Sequence, residues 1–349
     1  MEKLICRKVQ GREQGRVSRI TIKDVAGAAG VSIKTVSRVI NREANVRPAV
    51  RGRVEKAIAD LGYVPDRAAR SLAGNRSFVI SMIFDNPSPS YILALERGAM
   101  KACREWGYHL TIEEIDITGD VAAEMARILA TSRFDGVILS PPVTDSARVL
   151  DALEGKGLPY VRLTPWRFEG RSPAITIDDA AAASEMARYF WQLGHRRFAL
   201  VTGPENHGSS RLRVDGFLRG IREMGGSAGA VRLVEGDFSF RSGLKAGGRI
   251  LDGGGHVSAV FASNDDMAAG IYAAAAERGL RIPDDISVAG YDDSAVAELV
   301  WPQLTTIRQP VADMATEAAR ILINAPSGGA LRTTGMPYEL VIRNSVARI

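Results

Sequence analysis

Cysteine and histidine are scarce in this chain, and long apolar runs are missing. The two cysteines, Cys6 and Cys103, have neither metal-ligand nor redox spacing, and two thiols make no disulfide framework. Only four histidines occur, with no nucleophile elbow, no metal-ligating constellation and no phosphate-binding loop, so no enzymatic site can be argued and no metal or cofactor is expected. Gly253-Gly254-Gly255 lacks the spacing of a phosphate loop and reads as a link. No segment approaches the ~18 consecutive apolar residues that a membrane helix needs. The basic N-terminus is not followed by the apolar core of an export signal, so the cytoplasm is the expected compartment.

What the chain does contain is a globular composition with an uneven charge. Its 349 residues are 46% hydrophobic and 24% charged, enough for a small head and two ordinary domains. Residues 1–76 carry 17 Lys and Arg against 7 Asp and Glu, a net of +10, whereas the remainder carries 28 against 33, a net of −5. A compact basic head on an acidic body is the electrostatic footprint of a phosphate-backbone binder. A solvated basic tail is the alternative, and residues 1–20 form a basic extension of that kind. Beyond Ile20 the apolar periodicity argues against a mere tail.

Residues 21–65 read as helix, turn, helix and a supporting third helix. Thr21 is placed to cap a first helix whose Ile22, Val25, Ala26 and Ala29 share one face. Gly30 supplies a sharp turn, Val31 packs between helices, and Ser32 caps a second helix with Val36, Val39 and Ile40 inward. Ile33, Lys34, Ser37 and Arg38 then point outward near that helix's N-terminus, where a recognition helix meets base edges. Arg38 has the planar fork suited to guanine, and Lys34 has the reach for a base or a phosphate. The third helix, about Arg47 to Leu61, buries Val50, Val54, Ala57, Ile58 and Leu61. Residues 66–77 form a hinge helix and linker. Asp66 caps it, Arg67 and Arg70 meet phosphates, Ala68 and Ala69 permit close approach, and Leu72 is a wedge for the minor groove. Two turns are too few to hold in water alone, so this segment is expected to fold only on DNA.

The motifs Asp24-Val25-Ala26, Ala29-Gly30-Val31-Ser32, Thr35-Val36-Ser37-Arg38-Val39-Ile40-Asn41 and Leu72-Ala73-Gly74 together resemble those of the lactose/galactose/purine repressor family, also called LacI/GalR. The resemblance runs from Thr21 to the end of the chain. It implies a homodimer on a pseudo-palindromic double-stranded operator, with Thr21, Ser32, Ile33, Lys34, Thr35, Ser37, Arg38, Asn41, Arg67, Ala69, Arg70 and Leu72 at the DNA. Gly27 stands where a better helix former is usual, which should soften the first helix. Ile33 stands where several members carry a polar or aromatic reader, so the operator sequence does not transfer.

From Phe78 strands alternate with amphipathic helices, in two series, which predicts two α/β lobes built on doubly wound parallel sheets. Ligands of such sheets bind at the carboxyl ends of strands. The resemblance adds connectivity: residues 78–349 resemble periplasmic sugar-binding proteins, with lobe 1 over 78–176 and 308–325 and lobe 2 over 177–306 and 338–349. It also places Tyr91, Arg213, Phe238 and Asp265 at the effector site. An arginine fork and a carboxylate suit sugar hydroxyls, and an aromatic covers the apolar sugar face. Arg213 and Asp265 lead the candidates; an ion pair inside one lobe is their alternative role, and Asp265 can also cap the helix from Met267. Asp85, His207, Asp292 and Trp301 complete the set, with Trp166 a weaker aromatic. The expected function is a sequence-specific regulator, a repressor, controlled by a small ligand, a sugar or glycoside, between the lobes. The alternative is a solute-binding protein with no regulatory role.

Overall fold

A computed structural model describes residues 20–40, 45–63, 76–253, 256–324 and 331–349. The chain divides into two compact units, before and after the Arg76–Ser77 junction.

In the first unit, α1 spans Ile22–Ala29, α2 Ile33–Ile40 and α3 Pro48–Leu61. The amide and hydroxyl of Thr21 both donate to Asp24 Oδ2, at 2.8 and 2.7 Å, closing the start of α1. Gly30 ends it at φ +62°, a left-handed conformation that glycine adopts without a Cβ clash. Gly27 leaves α1 unbroken. The Thr35 amide donates to Ser32 Oγ at 3.2 Å, which starts α2. One apolar cluster joins the helices: Val25, Val36 and Val54 are fully buried at its centre, with Val39, Val46 and Ala57 around them. Each buried valine stabilises this small unit by roughly 1.5–3 kcal/mol.

The second unit is two six-stranded sheets, ordered β11-β5-β4-β3-β1-β2 and β12-β10-β9-β8-β6-β7. The first sheet comprises β1 Val79–Phe84, β2 His109–Glu114, β3 Gly136–Leu139, β4 Tyr160–Leu163, β5 Ala174–Thr176 and β11 Thr333–Gly335. The second comprises β6 Phe198–Thr202, β7 Val231–Glu235, β8 Ala259–Ala262, β9 Ser287–Asp292, β10 Thr305–Arg308 and β12 Glu339–Val341. Every pairing is parallel except β10 with β12. Central strands such as β1 (Val-Ile-Ser-Met-Ile-Phe) are nearly continuous apolar runs because helices cover both faces.

The chain crosses between the sheets three times, after β5, after β10 and after β11. The helix Val311–Asn324 therefore packs on the first lobe, against the helix Pro89–Trp106. Gly98 makes that crossing possible, since a Cβ there would stand 1.9 Å from the Ala312 carbonyl oxygen. In the second lobe Phe217 stacks on Phe261 with ring centroids 5.4 Å apart, and Phe190 on Phe198 at 6.3 Å.

Candidate functional site

In the first unit, α2 presents Ile33 at 45% exposure, with Ser32, Lys34 and Arg38 also exposed and Thr35 and Ser37 half-buried. An isoleucine left this open at a helix N-terminus, beside Lys34 and Arg38, fits an apolar contact to a thymine methyl within a basic surface. Asn41 and the expected hinge helix, with Arg67, Ala69, Arg70 and Leu72, lie outside the described residues.

In the body, one narrow cavity of about 20 Å³ lies where the carboxyl ends of the two sheets face each other. The first lobe contributes Asn86, Ser88 and Tyr91 after β1, Pro141 after β3 and Thr164 after β4. The second contributes His207, Ser209 and Arg213 after β6, Phe238 after β7, Asn264 after β8 and Asp292 at the end of β9. Gln309 comes from the crossover after β10. Each lining residue thus follows a parallel strand, where the α/β architecture leaves its crevice.

Arg213 is held from below. Its Nε donates to Asp179 Oδ1 at 2.8 Å and its Nη1 to the Ser263 carbonyl at 2.6 Å. Its guanidinium lies 3.6 Å above the Tyr291 ring, and the Tyr291 hydroxyl donates to the same Asp179 oxygen at 2.9 Å. Both members of the pair are almost fully buried. Such a pair is a costly arrangement for stability alone but fixes one guanidinium face toward the cavity.

Asp292 accepts a hydrogen bond from Gln309 Nε2 at 2.5 Å. Burial pushes its carboxyl up to about 7, against the pull of the Arg213 charge. Burial lowers His207 to about 4, with the Arg213 charge adding to it, so its ring is neutral near pH 7 and packs edge-on to Phe238 at 5.1 Å. Burial, then the Asp292 charge, raises the Tyr91 hydroxyl well above its ordinary range, keeping it a donor. Asn264 caps the helix Asp265–Glu277 through its Oδ1 and donates from Nδ2 to the Phe238 carbonyl at 2.8 Å. Thr164, Phe238 and Asp292 have φ of +40°, +69° and +112°, three of the six non-glycine residues with positive φ among the described residues. Backbone strain clusters where geometry is dictated by a task other than packing.

Of the eight candidates, Tyr91, His207, Arg213, Phe238 and Asp292 meet at this cavity. Asp265 does not, which corrects its expected place beside Arg213. It is fully buried inside the second lobe, accepting from the Ser294 amide at 2.7 Å and from Thr306 Oγ1 at 2.6 Å. The partner of Arg213 is Asp179 instead. Asp85 is also turned away, its Oδ2 holding the Ile117 amide at 3.1 Å between the loops after β1 and β2. Trp301 is 83% exposed beside Leu299 at 80%, outside the cavity. Asn86, Ser88, Ser209 and Asn264 line the cavity too and were not among the candidates, although each stands within a few residues of one of them in the chain. Pro141, Thr164 and Gln309 carry no motif, and only their position just after a strand could have flagged them.

The lobes touch at two places beside the cavity. Ser88 Oγ and Ser90 Oγ donate across to the two carboxylate oxygens of Asp266, at 2.7 and 2.8 Å. On another side, the Trp166 ring of lobe 1 rests against Gly208 of lobe 2.

Comparison with known proteins agrees with this geometry. Residues 21–66 match the family described as bacterial regulatory proteins, lacI family, and residues 187–346 match the periplasmic binding protein-like domain. The ribose operon repressor of Escherichia coli (strain K12) is 35% identical over 307 residues, covering 87% of this chain and 92% of that protein. The structure of the Lac repressor dimer bound to operator and the anti-inducer ONPF superposes with a TM-score of 0.70 at 28% identity, covering 95% of this chain and all of that one. A LacI family regulator from Enterococcus faecium with bound ribose matches with a TM-score of 0.70 at 26% identity, over 78% of this chain and 99% of that one. No helix among the described residues is long and apolar enough to cross a membrane. With a DNA-binding head ahead of a two-lobed binding body, and relatives that share both along most of their length, the chain belongs to the LacI family of transcriptional regulators and is not an enzyme.

Proposed function

We propose that this regulator is a homodimeric repressor whose operator affinity is set by a monosaccharide, of the size class of ribose, held between the lobes. The carrying observation is the cavity itself. A fixed guanidinium (Arg213), the Asp292–Gln309 pair and Asn264 offer donors and acceptors to ring hydroxyls, while Phe238 and Tyr91 offer apolar faces. At about 20 Å³ the cavity has room for little more than a water molecule, so a sugar ring enters as the lobes part. A relative of similar length is a ribose operon repressor, and a structural neighbour holds ribose, which supports the pentose class.

Asp85, Asp265 and Trp301 have no part in ligand binding on this reading. Leu299 and Trp301, both open to solvent, instead suit a contact with a second copy, and the Lac repressor structure is that of a dimer. On the DNA, Lys34 and Arg38 with Ile33 read the major groove, and the segment 66–77, with Arg67, Arg70 and Leu72, engages the minor groove. Closure of one lobe on the other alters the spacing of the paired hinges and thereby their affinity. A solute-binding protein with no regulatory role has no use for such a head.

Selection of bound sequences from a random duplex library, followed by titration at several salt concentrations, tests the first half. The expected result is a palindromic site bound at least about 10³-fold over random DNA, with affinity falling steeply as salt rises. A thermal-shift panel of sugars and nucleosides tests the second, with D-ribose expected to stabilise the body. Absence of sequence preference, or stabilisation by nucleosides with none by any free sugar, overturns the proposal.

A further inference from the structure

Beside the interlobe cavity lies a second open space, a groove of about 400 Å³, and the two are lined by near neighbours along the chain. Pro141 faces the cavity and Pro142 the groove; Thr164 faces the cavity and Trp166 the groove; His207 faces the cavity and Asn206 the groove. The two spaces therefore stand back to back across one seam between the lobes. The Trp166 indole, from lobe 1, lies on that seam against the bare backbone of Gly208 in lobe 2. A Cβ at Gly208 would stand 2.2 Å from Cγ and 2.3 Å from Cδ1 of the indole.

The ring is fixed from several sides. The backbone amides of Trp166 and Arg167 donate to Asp145 Oδ1 at 3.2 and 3.0 Å. Arg162, the largest fully buried side chain among the described residues, donates to the carbonyls of Arg167 and Phe168 at 2.8 and 2.7 Å, and its Nε to Ser172 Oγ at 3.1 Å. A buried arginine spent on carbonyls of one surface loop shows that the loop's path is specified. The guanidiniums of Arg167 in lobe 1 and Arg211 in lobe 2 lie 4.4 and 5.3 Å from the indole centroid, so each lobe supplies a cation to the same ring.

We propose that Trp166, seated on Gly208, is the specificity wall of the ligand site: it limits the ligand to a single ring and bars glycosides whose second group would run through the seam into the groove. This rests on the sugar reading above. The wall discriminates by a steric clash rather than by lost attraction, so it rejects larger ligands without contributing hydroxyl contacts of its own.

The test uses the full chain and its Trp166→Ala variant, with D-ribose and phenyl β-D-riboside as probes in calorimetric titration, and hydrogen exchange of both proteins. Wild type is expected to bind ribose at least about 30-fold tighter than the riboside, and the variant to bring the two within about threefold. An unchanged ratio, or equal affinities in wild type, overturns the wall. If neither probe binds wild type, the pentose reading fails and the wall is judged by exchange alone: amides of residues 206–211 are expected to exchange at least about tenfold faster in the variant, and unchanged protection there overturns it. Gly208→Ala, which pushes the indole off its seat without removing it, serves as the second variant and is expected to show the same faster exchange.

Discussion

Asp292→Asn is expected to make the free protein more stable at pH 8 while weakening its affinity for ligand. Burial lifts this carboxyl from 3.8 to about 7. Between those values the folded state keeps a proton that the unfolded state has lost, so unfolding free energy falls as pH rises through that window and levels off above it. A displacement of about 3 pH units at ~1.4 kcal/mol per unit sets a ceiling of about 4 kcal/mol on the stability lost by pH 8. Asp292 keeps contact with the open cavity, and solvent there screens part of this, leaving about 2 kcal/mol. The asparagine keeps the shape and can still accept from Gln309 while removing the charge. For a domain of this size about 2 kcal/mol is a rise of roughly 5 °C in Tm.

His207 supplies an internal control. Its pKa is lowered to about 4, so the unfolded state binds a proton that the folded state refuses, and stability rises with pH up to about 6.5. In wild type the two slopes oppose each other below that point. In Asp292→Asn only the rising one remains. Thermal unfolding of both proteins from pH 4 to 8 measures this directly. A variant less stable than wild type at pH 8, or one that still loses stability as pH rises from 6.5 to 7, refutes the reasoning. Ligand affinity should fall by about tenfold because a hydrogen bond to a charged group, worth about 1.5–3 kcal/mol, is exchanged for a weaker one.

Arg213→Met should destabilise the body by about 3–5 kcal/mol by leaving Asp179 buried and unpaired, and Arg213→Met with Asp179→Asn should recover most of it in chemical denaturation; a loss below about 1 kcal/mol for the single variant would show that the pair is not held as described. Asp266→Ala removes the acceptor of both Ser88 and Ser90, and is expected to raise ligand dissociation in stopped-flow measurements by about tenfold; an unchanged rate means that this contact does not hold the lobes together. Arg38→Ala should cost about 1–3 kcal/mol of operator affinity and relax base preference at one position of the selected site, whereas a uniform loss across all sequences would make it a phosphate contact.

The head was legible because its signals are local. A capping Thr21, a left-handed Gly30, a capping Ser32 and valines at helical spacing each act within one turn of chain. The alternation of strands and helices gave the α/β lobes for the same reason. The cavity was only partly legible. Arg213, Phe238, Tyr91, His207 and Asp292 stand in loops after strands, but side-chain direction at those ends is set by neighbours distant in sequence. Asp265 and Asp266 show this best: adjacent acids at one helix start diverge, the first into Ser294 and Thr306 of its own lobe, the second across to Ser88 and Ser90 of the other. Spacing assigns them no such difference. Gln309 is a single polar residue after β10, distinguished only by the strand it follows. The positive φ at Thr164, Phe238 and Asp292 is set by tertiary contacts, and it is least expected at the β-branched Thr164 and the bulky Phe238.

The central claim is that the interlobe cavity and the DNA-binding head share one equilibrium. Operator affinity measured with and without saturating D-ribose, and ribose affinity measured with and without operator, give two coupling factors on the same full-length protein. Linkage requires them to be equal, and the account predicts a common value between about 5 and 150. Two ligands that both bind, each leaving the other's affinity unchanged, would contradict it.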